Sequence, residues 1–178
     1  MVYMFLAEGF EEIEALCPLD FLRRAGVDAK TVGIGGKVIC GSHGIRVECD
    51  ITEEELDKGA PFDMIILPGG MPGSKNLDNS KTVDYFIERA TKEDKLISAI
   101  CAAPCILGKR GLLQGKNATC YPGFEKELLG AKITTGVVRD GNIITGCAMG
   151  KAHDFALEII EALCGKEMRE NLKKSVLY

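Results

Sequence analysis

The chain has 178 residues, of which 46% are hydrophobic and 27% charged, and a net charge of −4. That length fits one substantial core and is short for two, while an acidic balance without clustered Lys and Arg argues against a dedicated nucleic-acid surface. No apolar run is long enough to span a membrane, and eight cysteines in a chain without a cleavable leader are expected as reduced thiols of a cytoplasmic protein.

Val2 to Ala7 is a short apolar run that reads as a first strand, followed by a turn at Glu8-Gly9. From Phe10 to Ala25, apolar residues recur at helical spacing and end in Arg23, Arg24 and Gly26, the signature of an amphipathic helix with a basic last turn and a glycine stop. Pro18 is expected to kink that helix or fix its early turns. Ala29 to Ile34 reads as a second strand. Two short strands between Lys37 and Cys49 flank Gly41-Ser42-His43-Gly44, and Thr52 with Glu55 has the pattern of a capping box for a short helix ending at Gly59. Met64 to Leu67 is an apolar strand running into Pro68-Gly69-Gly70, and Ser80 opens a helix through about Thr91 with Val83, Phe86, Ile87 and Ala90 on one face.

Leu96 to Ile100 is the next strand, and Cys101 follows it at once. Beyond it, Ala118 to Tyr121 and Phe124 to Leu129 form mixed segments, then Lys132 to Thr134, Val137 to Arg139 and Asn142 to Thr145 read as strands. A long helix from about Lys151 to Cys164 and a short polar helix close the order. Strands alternating with helices predict an α/β sandwich of a mostly parallel sheet covered on both faces, and residues 1–178 read as one domain without linker or repeat. Ligands bind such sheets at the carboxyl ends of the strands, which brings together the loops after Ala7, Leu67 and Ile100.

The stretch Ala99-Ile100-Cys101-Ala102-Ala103-Pro104 has the form of a nucleophile elbow, in which small residues two positions either side of the nucleophile let a strained strand-to-helix turn close. A helix beginning just after the thiol is expected to stabilise thiolate and lower its pKa, and Pro104 suits the first helical turn. Cys101 is therefore the candidate nucleophile; its alternative is a small buried hydrophobe. Glu11, Glu12 and Glu14 crowd the start of the first helix, where acids complement its dipole. Glu14 lies between Ile13 and Ala15-Leu16 and is the one expected to point inward, where burial raises its pKa and makes it a proton donor to a thiolate or substrate.

Gly69 and Gly70 offer unobstructed backbone N–H groups that, with Ala102 N–H, suit an oxyanion; a plain glycine turn is equally compatible. Tyr121 either donates to a substrate oxygen or packs as a half-buried core residue, and His43 sits in a glycine-flanked turn. No Cys-x-x-Cys pair exists and neither His43 nor His153 completes a zinc spacing, so no metal site is expected; the dinucleotide and phosphate-loop fingerprints are likewise missing.

The opening segment Ala7 to Glu14, Leu67-Pro68-Gly69-Gly70, the elbow segment Ala99 to Pro104 and the closing Phe155-Ala156-Leu157 helix together resemble the ThiJ/PfpI superfamily, most closely the branch of the parkinsonism-associated deglycase. The resemblance covers nearly the whole chain. It implies a flavodoxin-like three-layer sandwich of the class I glutamine amidotransferase-like kind, a homodimer, and a reactive cysteine hydrogen-bonded to a protonated glutamate, which fall on Cys101 and Glu14. Oxyanion-type backbone groups fall on Gly70 and Ala102, and His43 lies in the loop that in the family approaches the partner's pocket. Two departures stand out: many relatives carry histidine where Tyr121 stands, and Ala148-Met149-Gly150 replaces a frequent Gly-Pro-Gly loop. The expected activity is cofactor-free conversion of 2-oxoaldehydes such as methylglyoxal, or of their protein adducts. The rivals are an oxidative-stress sensor or chaperone acting through oxidation of Cys101, and, with less support, an intracellular cysteine peptidase.

Overall fold

The computed structural model describes residues 1–178. In chain order the elements are β1 (Val2–Ala7), α1 (Glu12–Arg24), β2 (Ala29–Ile34), β3 (Val38–Cys40), β4 (Arg46–Glu48), β5 (Ile51–Thr52), β6 (Met64–Leu67), α2 (Gly73–Asp78), α3 (Lys81–Lys92), β7 (Leu96–Ile100) and α4 (Pro104–Lys109). They continue with β8 (Asn117–Ala118), β9 (Lys132–Ile133), β10 (Val137–Asp140), β11 (Ile143–Gly146), α5 (Ala152–Cys164) and α6 (Lys166–Ser175).

The central sheet has seven strands in the order β10-β11-β7-β6-β1-β2-β5. Every pairing in it is parallel except that of β10 with β11. The order β2-β1-β6-β7-β11 is that of a doubly wound, flavodoxin-like sheet, and its direction of winding reverses between β1 and β6. Strand periodicity sorts the core onto two faces. Val2, Met4 and Leu6 pack with α1 and α5 residues such as Leu22, Phe155 and Ile159, whereas Tyr3, Phe5 and Ala7 pack with Val83, Phe86 and Ile87 of α3 and with Ile106 and Leu107 of α4. Because both faces are covered, β1 and β6 are buried at every position, as their unbroken apolar runs require.

Helix α1 runs unbroken through Pro18, and Glu11 caps it by accepting Glu14 N–H at 2.7 Å. Ser80 caps α3 through Val83 N–H at 3.3 Å. The expected helix between Thr52 and Gly59 does not form. Glu55 does reach back to Thr52 N–H at 2.8 Å, but Thr52 belongs to β5, paired with Gly33 of β2, and residues 53–55 make only a turn. Half of a capping box is thus used to close a strand end. Helix α2 is the element that sequence patterning misses: Pro72 and Gly73 mask six helical residues. The segments around Ala118 and Lys132 shrink to a two-residue pair, β8 with β9, in a small sheet of their own.

Candidate active site

Three loops meet where the sheet reverses direction, at the carboxyl ends of β1, β6 and β7. Strand β7 is buried through Ala99 and Ile100, and the chain then turns sharply at Cys101, which adopts φ 65°, left-handed backbone that a side-chain-bearing residue rarely occupies. The turn is held on both sides: Cys101 N–H donates to Gly146 O at 2.9 Å, and Cys101 O accepts Tyr121 N–H at 2.8 Å. Ala99 and Ala103 are fully buried, so larger side chains at either would force the turn open, and Pro104 starts α4. The sulfur is left partly exposed.

Glu14 reaches the elbow from the first turn of α1. Its side chain is completely buried; Oε2 accepts Gly69 N–H at 3.0 Å, and Oε1 is sealed from solvent without a well-formed hydrogen bond, beside the Cys101 thiol and Met149 N–H. Burial pushes its pKa up to about 7, against the opposing pull of Cys101, Gly69 and Met149. Gly69 explains how acid and thiol come so close: a methyl group there would lie 2.3 Å from Glu14 Oε2 and 2.6 Å from Cys101 Cβ. Gly70, at φ 89°, is equally constrained, since a side chain would strike Glu11 N at 2.4 Å.

Electrostatics at the sulfur overturn one expectation. A helix start at Pro104 should depress the thiol, and the N–H groups of Gly70 and Ala102 do pull it down. Yet burial and the charge of Glu14 outweigh them and push Cys101 up to about 12. Helix α4 is only six residues long, so it adds little beyond its local N–H groups. The two groups titrate together: the pair gives up one proton near neutrality, and burial with the resulting carboxylate charge holds the second on sulfur. In that monoanion the charge rests mainly on Glu14, and a thiolate forms when the Cys101 proton passes to the carboxylate.

The cavity over the sulfur measures about 190 Å³ and is walled by Gly70, Met71, Cys101, Ala102, Tyr121 and Phe124. Tyr121 is 47% exposed, with its ring edge-on to Phe124 at 6.4 Å, so it is a pocket wall rather than a core residue. Met71 and Phe124 were not singled out by the sequence; they carry no chemical signature, and only the meeting of the loop before α2 with the segment after β8 brings them in. The Ala148-Met149-Gly150 loop, noted in the sequence as a departure, contributes the Met149 backbone N–H beside Glu14, a role no side-chain pattern announces.

His43 lies elsewhere. It is 70% exposed and bonds Glu12, with Nδ1 2.8 Å from Oε2 and its N–H 2.7 Å from Oε1. Burial would raise Glu12, but the bonds from His43 and Ile45 bring it down to about 2, so it is a firm carboxylate. Glu11, Glu12 and His43 place ligand atoms within 4.8 Å of one another. Glu12 already spends both oxygens on the β3–β4 loop, so this cluster acts as a latch for that hairpin.

A doubly wound α/β sandwich with a strained elbow cysteine and a buried acid at its switch point places this chain among flavodoxin-like proteins with a nucleophile-elbow turn. The DJ-1/PfpI family model matches residues 1–162, and the chain belongs to that family. It is 36% identical to protein dj-1beta of Drosophila melanogaster over 98% of this chain and 95% of the relative. It is 32% identical to the glutathione-independent glyoxalase DJR-1.2 of Caenorhabditis elegans, covering 94% of this chain and 90% of that one. Among solved structures, oxidized Toxoplasma gondii DJ-1 superposes with a TM-score of 0.94 at 33% identity, covering 99% and 97% of the two chains. No helix is long and apolar enough to cross a membrane.

Proposed function

We propose that this protein is a cofactor-free enzyme that converts 2-oxoaldehydes such as methylglyoxal into 2-hydroxy acids, with Cys101 as nucleophile and Glu14 as the proton-transfer group. The observation that carries this reading is the pairing of a fully buried carboxyl, poised near pH 7, with a thiol on a strained elbow. The monoanionic pair supplies thiolate by passing the Cys101 proton to the Glu14 carboxylate. Sulfur attacks the aldehyde carbon, the carbonyl oxygen takes the proton from Glu14 to give a hemithioacetal, and the N–H groups of Gly70 and Ala102 stabilise the oxyanion as it forms. Glu14 as carboxylate then removes the proton from that carbon and returns it to the neighbouring carbon through an enediol. The product is a thioester, which water hydrolyses to lactate and free Cys101. Gly69 keeps Glu14 in place, and Tyr121 bounds the pocket where relatives often use histidine. The glyoxalase name of the worm relative supports this assignment. Adducts of 2-oxoaldehydes with protein amines or thiols are substrates of the same chemistry, since reversal of the adduct presents the same aldehyde carbon.

Purified protein, free of glutathione and treated with chelator, is expected to form lactate from methylglyoxal, and Cys101→Ser to lose at least about a hundredfold in rate. A Cys101→Ser protein that keeps the rate overturns the reading. A second reading, oxidation of Cys101 to sulfinate as a stress signal, is favoured by the oxidized state of the Toxoplasma relative and by the same backbone donors. Mass spectrometry after mild peroxide, set beside methylglyoxal turnover, separates them. We further propose a cytoplasmic homodimer that pairs through the exposed apolar Ile13 of α1 and Ile45 of the hairpin, neighbours through the Glu12 bond to Ile45 N–H. Ile45→Lys is expected to yield monomer by sedimentation.

A further inference from the structure

Methylglyoxal is far smaller than the space available to it. The cavity over Cys101 shares Met71, Ala102 and Phe124 with a second cleft of about 470 Å³ between α2, α4 and the turn at Glu125–Glu127. Together they reach the size of sites that enclose molecules of a few dozen atoms.

The walls of the second cleft differ in chemistry from the first. Ser74 is 95% buried, at 5% exposure, and its hydroxyl has no hydrogen-bond partner although it lines the cleft. A buried hydroxyl without a partner costs free energy that a ligand atom would recover. Three lysines, Lys75, Lys109 and Lys126, also line it, against Asp78 and Glu127. Asp78 is held by Lys109 at 2.9 Å and by Arg110 at 2.6 Å, so its charge is already met within the protein. Lys75 and Lys126 enter no ion pair. The cleft thus presents an unsatisfied hydroxyl and two free cations against one equally unpaired carboxylate, Glu127, so that its uncompensated charge is positive, across an apolar sill of Met71 and Phe124.

We propose that this cleft is a specificity subsite for the carrier part of a 2-oxoaldehyde adduct, and that it selects carriers bearing an anionic group, carboxylate or phosphate. The aldehyde-derived end would occupy the Cys101 cavity, the apolar sill would cover the linking atoms, and the anion would meet Lys75 and Lys126 while an oxygen accepts from Ser74. The inference takes from the proposed function only that the carbonyl end lies over Cys101.

Three inert thioethers test it: S-acetonyl-N-acetylcysteine, its carboxamide, and S-acetonyl-4′-phosphopantetheine. Each is scored by how far it slows alkylation of Cys101 by iodoacetamide, followed by mass spectrometry, a readout that needs no turnover. The carboxylate is expected to protect at about tenfold lower concentration than the carboxamide, the worth of two partly exposed ion pairs. That preference is expected to collapse to within about twofold in the Lys75→Gln/Lys126→Gln protein and in high salt, with circular dichroism confirming that the variant folds. Ser74→Ala is expected to weaken the carboxylate and carboxamide ligands alike. If phosphopantetheine protects best, the anion is phosphate; if N-acetylcysteine does, it is carboxylate, and either result supports the subsite. Equal protection by carboxylate and carboxamide, or a preference that survives removal of both lysines, overturns it. If methylglyoxal is not turned over but the preference holds, the glyoxalase assignment fails and the subsite stands.

Discussion

Replacing Glu14 with glutamine separates what this residue does for chemistry from what it does to stability. The buried carboxyl is raised from the usual glutamate value of 4.5 to about 7. Below the lower value both folded and unfolded chains carry the proton, and the shift has no effect on stability. As pH rises from 4.5 toward 7 the unfolded chain releases its proton while the folded chain holds it, so folding becomes progressively less favourable. With each pH unit worth about 1.4 kcal/mol, the full loss above neutrality is about 3 kcal/mol. Glutamine keeps the volume and an oxygen for Gly69 N–H but cannot ionise. Glu14→Gln is therefore expected to match the parent within about 1 kcal/mol in urea denaturation at pH 5 and to exceed it by about 3 kcal/mol at pH 8, with thiols kept reduced. Its rate on methylglyoxal should fall by about a hundredfold or more. An offset between the two proteins that is the same at both pH values would refute the argument.

Gly69→Ala should drive a methyl group into both Glu14 and Cys101, costing about 1–3 kcal/mol and abolishing turnover, read by thermal melting and lactate assay on one preparation. Glu12→Gln should release the β3–β4 loop and raise amide hydrogen exchange at His43 and Ile45 by about tenfold or more, as loss of charge-assisted bonds predicts. Phe86 is fully buried among Tyr3, Phe5, Phe62 and Tyr85. Phe86→Ala should cost about 3–5 kcal/mol by urea denaturation and leave the pH dependence of Cys101 alkylation unchanged.

The parts of the fold legible in the sequence are those where period, length and caps agree. The runs Val2 to Ala7 and Met64 to Leu67 are apolar at each position because both sheet faces are covered, and Ser80 marks the start of α3 where its oxygen takes Val83 N–H. The elbow was legible too, because the left-handed turn at Cys101 demands small neighbours and Ala99 and Ala103 supply them. What stayed hidden depends on partners distant along the chain. Glu55 reaches Thr52 with the geometry of a helix cap, yet pairing of Thr52 with Gly33 decides for a strand. The direction of the Cys101 shift turns on the depth of burial and on a carboxyl 87 positions earlier in the chain, and neither follows from a helix start read locally. Ser74 looks like any serine until its hydroxyl is found sealed and unmet.

Glu12 and Glu14 leave the same opening turn of α1, one gripping the hairpin through His43 and the other the glycine loop after β6 through Gly69. One turn of helix therefore anchors two loops of different purpose, the exposed hairpin and the glycine loop beside the thiol.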